Sequence, residues 1–91
     1  MSNESPAAAS STREDVEVFL RKQISQRTNV AAGQITPATV LVDIGLQSID
    51  SVLICGEIET HFEIELDPAI MFEFRTLDEV TSAVCKVIGD S

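Results

Sequence analysis

Apolar residues recur at helical spacing in three blocks of this chain, and two stretches between the blocks lack that period. In the first block Val16, Phe19, Leu20 and Ile24 share one side of a helical wheel. Ser11 or Thr12 is its expected cap. Glu14 and Asp15 suit the positive end of the helix dipole, and Arg21, Lys22 and Arg27 suit the negative end. The spacing predicts a stop near Thr28-Asn29. The second block runs from Ser48 to about Phe62. Ser51, Ile54, Cys55, Ile58 and Phe62 form a core stripe. Ile49, Val52, Leu53 and Gly56 form another, offset around the wheel. A small bundle seldom buries two faces of one helix, so part of this second stripe is expected at the surface. The third block holds Leu77, Val80, Val84, Val87 and Ile88. The capping box Thr76-Leu77-Asp78-Glu79 opens it, and Gly89 is its expected end.

The connection Val30 to Gln47 is long for a small domain and is broken by Gly33, Pro37 and Gly45. It can lie over a bundle only if Ile35, Val40, Leu41 and Leu46 pack inward. Glu63-Ile64-Glu65-Leu66 alternates, but no partner strand is in view, so an extended loop is expected. Asp67-Pro68 then reads as cap and first position of a short helix over Ala69 to Phe72. Residues 1–11 are Ser- and Ala-rich and read as a disordered tail, which leaves 12–89 as the one domain. The fold class is all-α: three main helices, one short third helix, and a long loop between the first two.

Composition narrows the function. The chain has 91 residues, no Trp or Tyr, one His and two Cys. A domain of this size hides roughly 60–65% of its unfolded surface, which leaves little room for a cleft and a catalytic constellation. No enzyme is expected; the rival is a small enzyme using paired carboxylates such as Glu57 and Glu63. Fifteen acids oppose six bases, a formal net charge of −9. Ten of those acids, from Asp43 to Glu79, share their segment with a single base, Arg75, while the other five acids and five bases cancel. Phosphates require basic patches, so nucleic acid is excluded as a partner. A one-signed surface either solubilises the chain or steers basic partners to it. Cys55 and Cys85 are too few for a disulfide framework and read as buried thiols. No signal-peptide h-region and no membrane-length apolar run is visible, and a cytoplasmic monomer is expected. His61 stands alone, which makes a poor metal site and a surface position the expectation. There is no Asp-x-Asp-x-Asp-Gly calcium loop.

The candidate chemistry lies in Asp43-Ile44-Gly45-Leu46-Gln47-Ser48-Ile49-Asp50-Ser51-Val52. It sets a serine at the first turn of an apolar, acidic helix, where it reads as an N-cap open to modification. Ser25, Ser51 and Ser82 lie within helices and lack that setting. The segment, with the following helix to His61-Phe62 and Ile64-Glu65-Leu66, resembles the attachment motif of the acyl carrier protein family. Met71-Phe72-Glu73-Phe74-Arg75-Thr76-Leu77 resembles a Leu-Phe-x-Tyr-Pro-Thr-Ile segment of carrier domains in modular polyketide assembly lines. The likeness spans about residues 12 to 88.

The resemblance implies an acyl-carrier-like four-helix bundle whose Ser48 carries a 4′-phosphopantetheine arm, moved from coenzyme A by a phosphopantetheinyl transferase. The arm's thiol then holds an acyl chain as a thioester; neither Cys55 nor Cys85 is that thiol. Further implied partners are acyltransferases or ligases, ketosynthases and other acyl-processing enzymes with basic docking surfaces. Asp43, Gln47, Ile49, Asp50, Val52, Leu53 and Glu57 are the expected docking residues. Ile54, Ile58 and Ala83 are the expected lining for a folded-back acyl chain. Two positions depart from the pattern. Gln47 replaces the usual Asp, which bears on recognition by transferases. Arg75 replaces the usual Pro, which is expected to cost loop rigidity. The Gly-Gly-His-Ser pattern of peptidyl carriers is absent, so a polyketide or fatty-acid cargo is favoured over an aminoacyl or aryl one. The initial Met reads as a discrete carrier. An acidic helical interaction module without cofactor is the alternative from another class.

Overall fold

The computed structural model describes the backbone of residues 4–90 and the side chains of residues 13–89. Helices α1 (Glu4–Arg27), α2 (Ser48–Phe62), α3 (Ala69–Glu73) and α4 (Leu77–Asp90) follow in that order. Short 3₁₀ turns at Ala32–Gln34 and Leu41–Ile44 interrupt the long connection between α1 and α2. Each helix exists because its stripe has something to cover. Val16, Leu20 and Ile24 of α1, Ile54 and Ile58 of α2, and Leu77, Val80 and Val84 of α4 are all fully buried in one core. The long connection closes over that core by inserting Ile35, Leu41 and Leu46, as its apolar content requires. Phe19 lies at the edge, stacked on the exposed ring of His61 with centroids 4.3 Å apart.

At α3 the cap is Pro68 and not Asp67, although Asp67 Oδ1 still accepts the Ala69 N–H at 3.0 Å, and two boundaries of longer helices also differ from the pattern. Helix α1 starts at Glu4, well before Ser11 or Thr12, so the described part of the expected tail is helical. Ala7-Ala8-Ala9 explains this, because alanine extends a helix without needing an apolar face, and Pro6 lies in the first turn where its missing N–H is tolerated. Met1 to Asn3 lie outside the described residues. At the other end α4 continues through Gly89 to Asp90. Gly89 does not adopt the left-handed conformation that would make it a helix stop.

The N-terminus of α4 ties the loops together. A helix begins with N–H groups that lack intrahelical partners. Here Leu77 N–H donates to the Thr39 carbonyl at 3.1 Å and Asp78 N–H to the Pro37 carbonyl at 2.9 Å. Glu79 N–H donates to Thr76 Oγ1 at 3.2 Å. In return, Leu41 N–H donates to the Arg75 carbonyl at 3.0 Å. The capping box is formed as the sequence predicts, with Glu79 Oε1 accepting from Thr76 N–H at 3.2 Å. It also accepts from Arg75 N–H at 2.8 Å. A proline at position 75 could not make that last bond, so the expected loss of rigidity at Arg75 is offset by a hydrogen bond to a charged group.

Two outcomes follow for stability. Ile58→Ala empties a site at the centre of the core and is expected to cost about 2–5 kcal/mol in urea unfolding. The Glu79 carboxyl is held below its ordinary 4.5, first by the Arg75 N–H and then by the Thr76 N–H. A folded value below the unfolded one means stability that is present above pH 4.5 and fades as pH falls through the folded value. Glu79→Gln is therefore expected to melt below the parent at pH 7, with the gap closing as both are acidified. A gap constant with pH would mean that the carboxylate charge is not its source.

Candidate functional site

The site is built by the turn that feeds α2. Gly45 closes the 3₁₀ turn with φ 96, a left-handed backbone that a side chain would strain. Its N–H donates to the Val42 carbonyl at 3.2 Å, and Leu46 N–H donates to the Leu41 carbonyl at 3.3 Å. Leu46 is thereby buried as the last anchor before the helix. Gln47 follows in an extended conformation, φ −102 and ψ 167, and its carbonyl accepts the Ser51 N–H at 3.0 Å. That geometry makes Gln47 the N-cap and Ser48 the first helical residue, which corrects the sequence expectation for Ser48. The junction is secured from inside the helix: Asp50 Oδ2 accepts the Gln47 N–H at 3.0 Å.

The one-residue shift matters chemically. An N-cap serine spends its hydroxyl on a backbone N–H. Ser48 is exposed, and its hydroxyl has no hydrogen-bond partner among the described residues. It opens onto a groove of about 250 Å³. Gln47, Ser48 and Ser51 are polar residues of its lining, Leu46, Met71, Phe72 and Phe74 are among its apolar ones, and Arg75 also lines it. Ile54, Ile58 and Ala83 do not belong to it. The two isoleucines are sealed in the core, and Ala83 instead borders a shallow depression beside Phe74 and Lys86 on α4. The three residues expected to line a folded-back chain between the helices are therefore separate from the groove at Ser48.

The outer stripe of α2 is bare. Ile49 is 60% exposed, Leu53 50% and Val52 44%. Asp43, Gln47 and Glu57 are exposed around it, while Asp50 is half-buried by its bond to the Gln47 backbone. Two further apolar side chains, not expected at the surface from sequence, are exposed and line the Ser48 groove: Val42, 70% exposed, and Phe72, 55% exposed. Their signal was present but weak. Each follows a residue, Leu41 or Met71, that the core takes, and a short turn cannot bury both neighbours.

The thiols stand apart from this surface. Cys55 is buried and Cys85 half-buried, both unpaired, so the second is less enclosed than expected. Burial, with help from the Glu59 and Asp67 charges, pushes the Cys55 thiol up from 9.0 to about 11. Burial also raises Cys85, with Arg13 opposing. Among the described residues no group of three or more His, Cys, Asp or Glu could hold a metal ion, and no helix is long and apolar enough to cross a membrane.

Comparison with known proteins decides what this arrangement belongs to. The family profile described as the phosphopantetheine attachment site matches residues 18–84. The chain belongs to the phosphopantetheine-binding carrier family. The group that goes with this family is a covalently attached 4′-phosphopantetheine. The carrier is 27% identical over 79 residues to an acyl carrier protein of Thermotoga maritima, covering 86% of this chain and 98% of that protein. It is 24% identical over 79 residues to a non-reducing polyketide synthase of Nectria sp, covering 87% of this chain but only 4% of the synthase. The NMR structure of the HMG-ACPI domain from the CurA module of Lyngbya majuscula matches with a TM-score of 0.73 at 19% identity, over 86% of this chain and 79% of that one. That last likeness shows the acyl-carrier helical bundle as the fold.

A carrier works through an added thiol, so its own thiols should be quiet. At a given alkaline pH, Cys55 should hold on the order of 100-fold less thiolate than an unperturbed cysteine. Mass-resolved alkylation of the native carrier at pH 8 is expected to label Cys85 well before Cys55. Equal rates in the native state, matching those in denaturant, would contradict the buried placement.

Proposed function

We propose that the phosphopantetheine arm of this carrier is attached at Ser48 Oγ, and that the chain presents acyl intermediates to polyketide- or fatty-acid-type biosynthetic enzymes. The observation that carries the proposal is the free, exposed Ser48 hydroxyl at the first turn of α2. A hydroxyl that must become a phosphodiester has to be reachable and unengaged, and Ser48 is both. The residues around it suit the group: polar and apolar side chains share one groove with the hydroxyl, and neither thiol is part of its lining. Two relatives support the acyl class, one named as an acyl carrier protein and one as a polyketide synthase.

In the priming step Ser48 Oγ attacks the β-phosphorus of coenzyme A. One O–P bond forms, the bond to the adenosine bisphosphate leaving group breaks, and the hydroxyl proton passes to a base of the transferase. When bound, the arm supplies a thiol that holds an acyl chain as a thioester. The chain's own residues do the rest. Leu46 and the Gln47–Asp50 junction hold Ser48 at the first turn of α2, which would give an attached arm a fixed anchor and so keep its cargo concentrated near a docked enzyme. Ile49, Val52 and Leu53 offer a small apolar contact, and Val42 and Phe72 are exposed on the groove that Ser48 lines. Asp43, Asp50 and Glu57 give the charge that draws a basic partner in quickly and lets it go, which suits a carrier used in turn by a phosphopantetheinyl transferase, an acyltransferase or ligase, and a ketosynthase.

The test is intact-protein mass after incubation with coenzyme A and a broad-specificity phosphopantetheinyl transferase. The parent chain is expected to gain one phosphopantetheine and Ser48→Ala none. Modification of Ser48→Ala would move the site elsewhere. No gain in the parent, nor in Gln47→Asp, would favour an acidic interaction module. In the same assay Glu57→Lys is expected to lower the transferase's kcat/KM by about 3- to 10-fold at low salt, with the difference shrinking as ionic strength rises.

A further inference from the structure

We propose that the Arg75 guanidinium binds the phosphodiester that joins the arm to Ser48. This rests on the reading of Ser48 given above and adds a residue 27 positions away in the chain. Arg75 and Ser48 line the same groove of about 250 Å³. The fold brings them together through the hydrogen bonds that lash the long loop to the start of α4, since Leu41 N–H donates to the carbonyl of Arg75 itself.

The other arginines are occupied. Arg13 pairs with Asp78 and donates to Ser82. Arg21 pairs with Glu17 at 3.2 Å, and Arg27 donates to Gln23 at 2.7 Å. The Arg75 guanidinium makes no ion pair or hydrogen bond among the described residues. Glu79 is within its electrostatic reach, but Glu79 Oε1 already accepts the backbone N–H groups of Arg75 and Thr76. The structural work of residue 75 is done by its backbone, which leaves the exposed side chain free for a ligand.

Charge supplies the reason for one. Arg75 is the single base among ten acids between Asp43 and Glu79. A phosphodiester adds a permanent negative charge at Ser48, between Asp43 and Asp50 in sequence. A guanidinium fork is the side chain best matched to phosphate oxygens, and it does not lose its charge at any physiological pH. Arg75 therefore neutralises the new anion and fixes the root of the arm over the groove, toward Met71, Phe72 and Phe74.

The experiment uses the ¹⁵N-labelled full chain before and after loading, with intact mass taken on each sample. The Arg75 Nε–Hε signal is identified by its absence in Arg75→Gln, a change that keeps both backbone hydrogen bonds. On loading, this signal is expected to move while those of Arg13, Arg21 and Arg27 stay in place, and the shift is expected to shrink with added salt. The ³¹P resonance of the loaded chain is expected to differ in Arg75→Gln and to return toward the parent position in Arg75→Lys. A chain that gains no mass, in the parent and in Gln47→Asp alike, overturns the reading of Ser48 and this proposal with it. A loaded chain with an unmoved Arg75 signal, and the same ³¹P resonance in all three forms, overturns this proposal alone.

Discussion

The exchange of hydrogen bonds between the long loop and the N-terminus of α4 is the constraint on which the remaining structure depends. Helix α4 begins with N–H groups that have no partner of their own, and the loop carries carbonyls with the same difficulty. Thr39 and Pro37 satisfy Leu77 and Asp78, and Arg75 satisfies Leu41. Each side solves the other's desolvation problem. Once Leu41 is fixed, the 3₁₀ turn and Gly45 carry the chain to Leu46, and Leu46 sets where Gln47 can cap α2. The position of Ser48 is therefore decided at the opposite end of the molecule's chain order.

Helix α2 divides its duties by face. Ser51, Ile54, Cys55 and Ile58 close the core, while Ile49, Val52 and Leu53 remain bare. A surface of three or four aliphatic side chains is too small for a permanent complex and large enough for a brief one when charge assists the encounter. The acidic excess is concentrated from Asp43 to Glu79, on the elements that bear or follow that face. Charge and bare apolar surface are thus carried by the same part of the chain.

Much of this was legible in the sequence, for identifiable reasons. The stripes of α1, α2 and α4 could be read because each helix buries one side only. The loop residues Ile35, Leu41 and Leu46 could be read because a long connection without an inward anchor would not be stable. The Thr76–Glu79 capping box is a local pattern and formed as such. What escaped depended on choices the pattern does not encode. Residue type alone favours Ser48 over Gln47 as the cap; the Asp50 carboxylate reaching back to the Gln47 N–H reverses that preference. The early start of α1 follows alanine propensity, which has no amphipathic signature. The groove was hidden because it joins Ser48 to Phe72, Phe74 and Arg75, residues linked only by tertiary packing. Ile54 and Ile58 were legible as core, and in the unloaded chain they are fully buried there.

The placement of Ser48 one residue inside the helix has an effect on the lifetime of the molecule. Because its hydroxyl holds nothing together, esterifying it removes no bond from the fold, and leaving it bare exposes no strained segment. Replacing that hydroxyl by a hydrogen, as in Ser48→Ala, is consequently expected to leave resistance to local opening, the event on which cellular proteases act, as it was.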